Sequence, residues 1–150
     1  MSELRELYQE VILDHGKRPR GFSEMDDPTA AAHGNNPLCG DKITVYLRER
    51  DDRIDEVRFQ GAGCAISMAS ASMMTEVLAG KSREEAERIY RMFHDLVTGR
   101  GDPDAPTERL GKLVVFAGVR EFPIRVKCAT LAWHTFHAAL TRRAETVSTE

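Results

Sequence analysis

The feature that most constrains this chain is a pair of period-two runs set around a short polar turn. Ile43, Val45 and Leu47 alternate with Lys42, Thr44, Tyr46 and Arg48, and a second run carries Ile54, Val57 and Phe59. Arg50, Asp51, Asp52 and Arg53 separate the two. Such alternation predicts a β-hairpin with one apolar face. That face has to be covered, and the cover follows in the sequence. From 65 to 79 nearly every residue is small or apolar, among them Ile66, Met68, Ala69, Ala71, Met73, Met74, Val77 and Leu78. A helix apolar on all sides is expected to be buried. Upstream, residues 29–33 offer an edge strand, followed by a turn at Gly34, Asn35, Asn36 and Pro37.

Further helices flank this unit. Leu4, Leu7, Tyr8, Val11 and Ile12 recur at helical spacing and stop near Gly16. Ser82 and Glu85 form a capping-box pattern before a helix with Ala86, Ile89, Phe93, Leu96 and Val97 on one side. A Gly/Asp/Pro loop over 99–106 and a short apolar segment over 113–119 lead to Pro123. An amphipathic helix is expected over 124–143, its inner stripe made by Leu131, Ala132, Phe136, Ala139 and Leu140. Helix, strand cluster, then consecutive helices is an α+β order. The expected fold is a small three-stranded antiparallel sheet with helices packed on one face. One domain is expected over 1–150, with a frayed tail from about 145.

Charge and composition narrow the function. A net charge of −3 argues against a nucleic-acid partner, which calls for a broad basic face. The local cluster Lys17, Arg18 and Arg20 reads as a charge-complemented helix end or as a docking surface. No run approaches the roughly 18 apolar residues of a membrane span, and the N-terminus has no apolar signal stretch. A cytoplasmic protein is expected. In a reducing compartment its three cysteines are not expected to form a structural disulfide.

The cysteines sit in three separate strings. In Asn36-Pro37-Leu38-Cys39-Gly40-Asp41, Gly40 frees the backbone so that a thiolate and a carboxylate can face one point, although Asp41 reads equally as a turn acceptor. In Gly61-Ala62-Gly63-Cys64, two glycines turn the chain from strand to helix. Cys64 then stands at a helix N-terminus, where thiolate is favoured; a packing cysteine fits the string equally well. In Arg125-Val126-Lys127-Cys128 a third cysteine is expected in the first turn of the last helix, with Arg125 and Lys127 as auxiliary positive charges. Three thiolates and a carboxylate are enough for closed tetrahedral zinc, and thiolates also suit iron–sulfur clusters. No His-Glu-x-x-His string is present, which argues against a zinc hydrolase. His33 is the histidine placed to approach such a centre from outside; His134 and His137 are expected to flank the core, and Trp133 to pack.

Taken together with Leu7-Tyr8-Gln9-Glu10-Val11-Ile12-Leu13-Asp14-His15, these strings closely resemble the SufU/IscU-like family of iron–sulfur cluster assembly proteins, in order and over nearly the whole chain. The chain is most similar to the SufU branch. Lys127 stands where IscU scaffolds carry a histidine, and the stretch within 80–106 is extended. The resemblance implies that Cys39, Asp41, Cys64 and Cys128 bind Zn²⁺. It also implies that the protein works with a PLP-dependent cysteine desulfurase of the SufS type, and with downstream iron–sulfur scaffold or acceptor proteins. Cys39, on the most mobile of the three strings, is the expected acceptor of persulfide sulfur. The alternatives are a scaffold carrying iron or a [2Fe–2S] cluster on the same residues, and a structural zinc domain. Sulfur transfer of this kind would make the protein at most a zinc-dependent sulfurtransferase.

Overall fold

A computed structural model describes residues 2–37, 40–100, 108–141 and 147–148. The chain opens with α1 (Ser2–Lys17), continues through β1 (Ala30–Asn36), β2 (Asp41–Arg50) and β3 (Arg53–Ala62), and then enters α2 (Ala65–Leu78) and α3 (Arg83–Thr98). A 3₁₀ segment (Glu108–Glu121), kinked at Gly111, precedes α4 (Pro123–Leu140) and the two-residue β4 (Val147–Ser148).

The alternating runs form the predicted hairpin. Asp51 and Asp52 both take positive φ, 52° and 62°, the backbone sense that matches the twist of paired strands. Ile43, Val45, Leu47, Ile54, Val57 and Phe59 are all buried. Ile54 and Val57 are an odd number apart yet both point inward. The register shift opposite Arg48 and Glu49 leaves Asp55 as an extra residue that restores the phase.

β1 pairs antiparallel with β2 from Ala30↔Leu47 to Asn36↔Asp41. It therefore runs through Gly34, Asn35 and Asn36, where the sequence predicts a turn. Long-range pairing has overridden the poor strand propensity of glycine and asparagine. The antiparallel order is β3-β2-β1, and β4 adds a short parallel pairing of Val147 and Ser148 with Gly34 and Asn35. That pairing falls within the tail expected to fray.

The helices cover one face of the sheet. α2 packs on β3, α4 on β1 and β2, α1 on α2, and α3 with the 3₁₀ segment on α4. α4 is consequently not the one-striped helix expected. Cys128, Ala129, Thr130, Leu131, Ala132, Trp133, Thr135 and Phe136 are all buried, because the sheet lies on one side and α3 on the other. Phe93 of α3 stacks on Trp133 at 4.5 Å and meets Phe116 edge-on. Trp133 Nε1 donates to Ser70 Oγ (3.1 Å), which in turn donates to the Ala129 carbonyl (2.6 Å), so the polar groups between α2 and α4 are paired. The other face of the sheet is polar, with Tyr46 donating to Gln60 Oε1 and Arg48 paired with Glu56. No described helix is long and apolar enough to cross a membrane.

Candidate metal centre

The centre is built where β2 begins, α2 begins and α4 enters its second turn. Gly40 takes φ +72°, a conformation glycine adopts freely, and delivers Asp41 to the first position of β2. There Asp41 points to the helix side and is 1% exposed. Its Oδ1 accepts the backbone N–H of Cys64 at 3.0 Å. Its Oδ2 is buried with no hydrogen-bond partner among the described residues.

Cys64 is the N-cap of α2 and is half-buried. The glycines before it are required by space. A Cβ at Gly61 would lie 2.1 Å from the Lys42 carbonyl oxygen, and a Cβ at Gly63 would lie 2.6 Å from Asp41 Oδ1. α4 starts at Pro123, one residue before the expected 124, which puts Cys128 in the second turn of the helix; it is fully buried. Ligand atoms of Asp41, Cys64 and Cys128 lie within 4.8 Å of one another, close enough to share one cation. Cys64 and Cys128 are not in a disulfide. Cys39, the fourth expected ligand and the expected sulfur acceptor, lies outside the described residues.

The chemistry of this donor set fits a thiophilic divalent ion. Two sulfurs and a carboxylate converge, and the buried Asp41 Oδ2 has no partner among the described residues. Of the auxiliary residues, Arg125 is exposed and Lys127 half-buried, both on the first turns of α4. Beside them Phe122 and Ile124 are each 58% exposed, an apolar edge not anticipated from the sequence.

His33 does not approach the centre. It is exposed on the opposite face of the sheet, its Nδ1 within 2.8 Å of Thr44 Oγ1. His134 and His137 pack on Tyr90 of α3, His134 Nδ1 lying 2.8 Å from the Tyr90 hydroxyl and His137 stacking on its ring. Burial, reinforced by the nearby His94 and His137, pushes the pKa of His134 down to about 4. One residue of the centre was missed altogether. Asn36 is fully buried, lies across from Asp41, and directs Nδ2 toward Cys128 Sγ at 4.0 Å. The signal was available, since Asn36 is in phase with the buried Ala32 and Gly34 once the strand is carried past 33.

This fold and these strings have relatives. The chain belongs to the family described as the NifU-like N terminal domain, whose model matches residues 7–140. It is 42% identical over 144 residues to the iron–sulfur cluster assembly scaffold protein IscU of Streptococcus pyogenes serotype M1, covering 96% of this chain and 89% of that one. It is 41% identical over 132 residues to the zinc-dependent sulfurtransferase SufU of Bacillus subtilis, covering 88% of each. Among solved structures, a candidate SUF-system cluster assembly scaffold from Fervidobacterium islandicum AW-1 superposes with TM-score 0.82 at 34% identity, covering 87% of this chain and 94% of that one.

Proposed function

We propose that this protein is a zinc-bound sulfur acceptor of iron–sulfur cluster biogenesis, acting in the cytoplasm with a PLP-dependent cysteine desulfurase of the SufS type. The observation that carries the reading is the convergence of Asp41, Cys64 and Cys128, with a buried carboxylate oxygen that has no described partner. Cys39, two residues before Asp41, is the fourth donor in this reading and completes a tetrahedral set. Bound zinc supplies the charge that keeps these thiols deprotonated.

The chemistry assigned to the chain is one exchange. The Cys39 thiolate attacks the outer sulfur of the desulfurase persulfide; a new S–S bond forms on Cys39, the old S–S bond breaks, and the partner's cysteine leaves as thiolate. The transferred sulfur keeps its proton, so nothing is oxidised or reduced overall. Cys39 suits this role because it falls in sequence between β1 and β2 and not within an element, whereas Cys128 is sealed in the core. Arg125 and Lys127 lend positive potential at the mouth, and downstream scaffold or acceptor proteins receive the sulfur. The test is Cys39→Ser with desulfurase and cysteine: sulfur uptake should be abolished, and uptake at the normal rate would refute the assignment.

A second reading, a scaffold on which a [2Fe–2S] cluster is assembled, is favoured by the name of the S. pyogenes relative. Lys127 in the place of a histidine speaks against it. Anaerobic reconstitution with iron and sulfide separates the two, since a stable, transferable cluster would favour the scaffold. A purely structural zinc domain would have no effect on desulfurase turnover.

A further inference from the structure

Asn36 is an expensive residue in its position. It is fully buried, and its Oδ1 has no hydrogen-bond partner among the described residues. A buried polar atom left without a partner is destabilising. An apolar side chain would carry no such cost, so filling space does not account for the amide. The same face of β1 is otherwise closed tightly by α4: a Cβ on Gly34 would lie 2.1 Å from Thr135 Oγ1 and 3.1 Å from the Leu131 side chain. The polar groups around Asn36 are those of the metal centre. Asp41 is its cross-strand partner, and Cys128 Sγ lies 4.0 Å from Nδ2.

We propose that Asn36 is a positioning residue of the metal centre, whose amide N–H holds the Cys128 sulfur toward Asp41 and Cys64. The proposal rests on reading those three residues as metal donors. Cys128 is fully buried in the second turn of α4, so rotation about its Cα–Cβ bond is the freedom left to its sulfur. An N–H donor on the β1 side selects the rotamer that faces the other two donors and draws electron density from the sulfur. Groups that orient metal ligands in this way typically change metal affinity by about 10–100-fold when removed.

The experiment uses the full chain and four proteins: wild type, Asn36→Leu, Asn36→Asp and Asn36→Ser. Leucine keeps the branched four-atom side chain without the donor, aspartate keeps the shape with an acceptor in its place, and serine retains a short donor. Zn²⁺ affinity is read by competition with a chromophoric chelator. Co²⁺ is the spectroscopic probe, through its sulfur-to-metal charge-transfer band. The expected result is affinity about 10–100-fold weaker for the leucine and aspartate variants. Their cobalt band should shift, and the serine variant should recover part of both losses. A leucine variant with wild-type affinity and an unchanged band overturns the positioning role while leaving the donor assignment intact. Should the leucine variant fail to fold by circular dichroism, the aspartate variant decides on the same two readouts. Wild-type protein that binds neither metal overturns the donor assignment and this role with it.

Discussion

The backbone N–H of Cys64 donates to Asp41 Oδ1, so one carboxylate ties the start of β2 to the start of α2. The other oxygen of that carboxylate is buried without a described partner. Asp41 is therefore a local cap and an open coordination position at once, and substitutions can separate the two.

Asp41→Asn keeps an oxygen for the Cys64 N–H and removes the buried charge. In metal-free protein it should be as stable as wild type or more so, since a buried carboxylate with one oxygen lacking a described partner is costly. Zinc should then stabilise it far less than it stabilises wild type, for which about 2.7 kcal/mol is expected at free zinc 100-fold above Kd. Thermal unfolding with and without chelator checks both halves.

Gly63→Ala places a methyl group 2.6 Å from Asp41 Oδ1, with Ser67 Oγ 3.2 Å away on another side. Either the carboxylate or the strand end must shift. A loss of about 1–3 kcal/mol is expected, typical of forcing atoms into a closed site, together with weaker zinc binding. Denaturant unfolding and chelator competition measure these. Gly118, which has open space around its Cβ position and no positive φ, is the control for crowding.

Stability should fall in acid before the carboxylates titrate. His134, facing Tyr90, His94 and His137, has its pKa lowered from the usual 6.5 to about 4, chiefly by burial. His15, buried against Ser72 and facing Glu76 and Arg20, is lowered in the same sense by burial first and Arg20 next. Between these values and 6.5 the unfolded chain binds more protons than the folded one, so stability is full above about pH 6.5 and declines as pH drops toward 4. Urea titrations of chelator-treated protein at several pH values follow the decline. His134→Gln should flatten it.

Phe93→Ala removes the ring that stacks on Trp133 and meets Phe116, all three fully buried. The expected loss is about 3–5 kcal/mol. Zinc affinity of the fraction that folds should change little, because the cavity opens on the α3 side of α4, away from Cys128. Urea unfolding and zinc titration report the two effects separately.

The hairpin, the buried helix after Gly63 and the capped start of α3 at Ser82 were legible because each is written in local chemistry: alternation, small apolar residues, a side chain that accepts Glu85 N–H. The grouping of Asp41, Cys64 and Cys128 was implied by the resemblance of their strings to a known family, whereas the residue types alone read Asp41 equally as a turn acceptor and Cys64 equally as a packing cysteine. What escaped was set by distant partners. β1 runs on to Asn36 because β2 pairs with it there, and α4 is buried all round because α3 covers its outer side. The inward phase of Val57 depends on the extra residue Asp55, which no period-two count foresees. The role of Asn36 was hidden for the same reason, since read locally it belongs to a turn.

The three converging donors come from a strand start, a helix cap and a helix interior, each fixed by its own packing. Together they make a tripod whose feet stand on separate parts of the framework. The shape of the centre is therefore set by three separately packed parts of the molecule, and disturbing one of them leaves the other two in place.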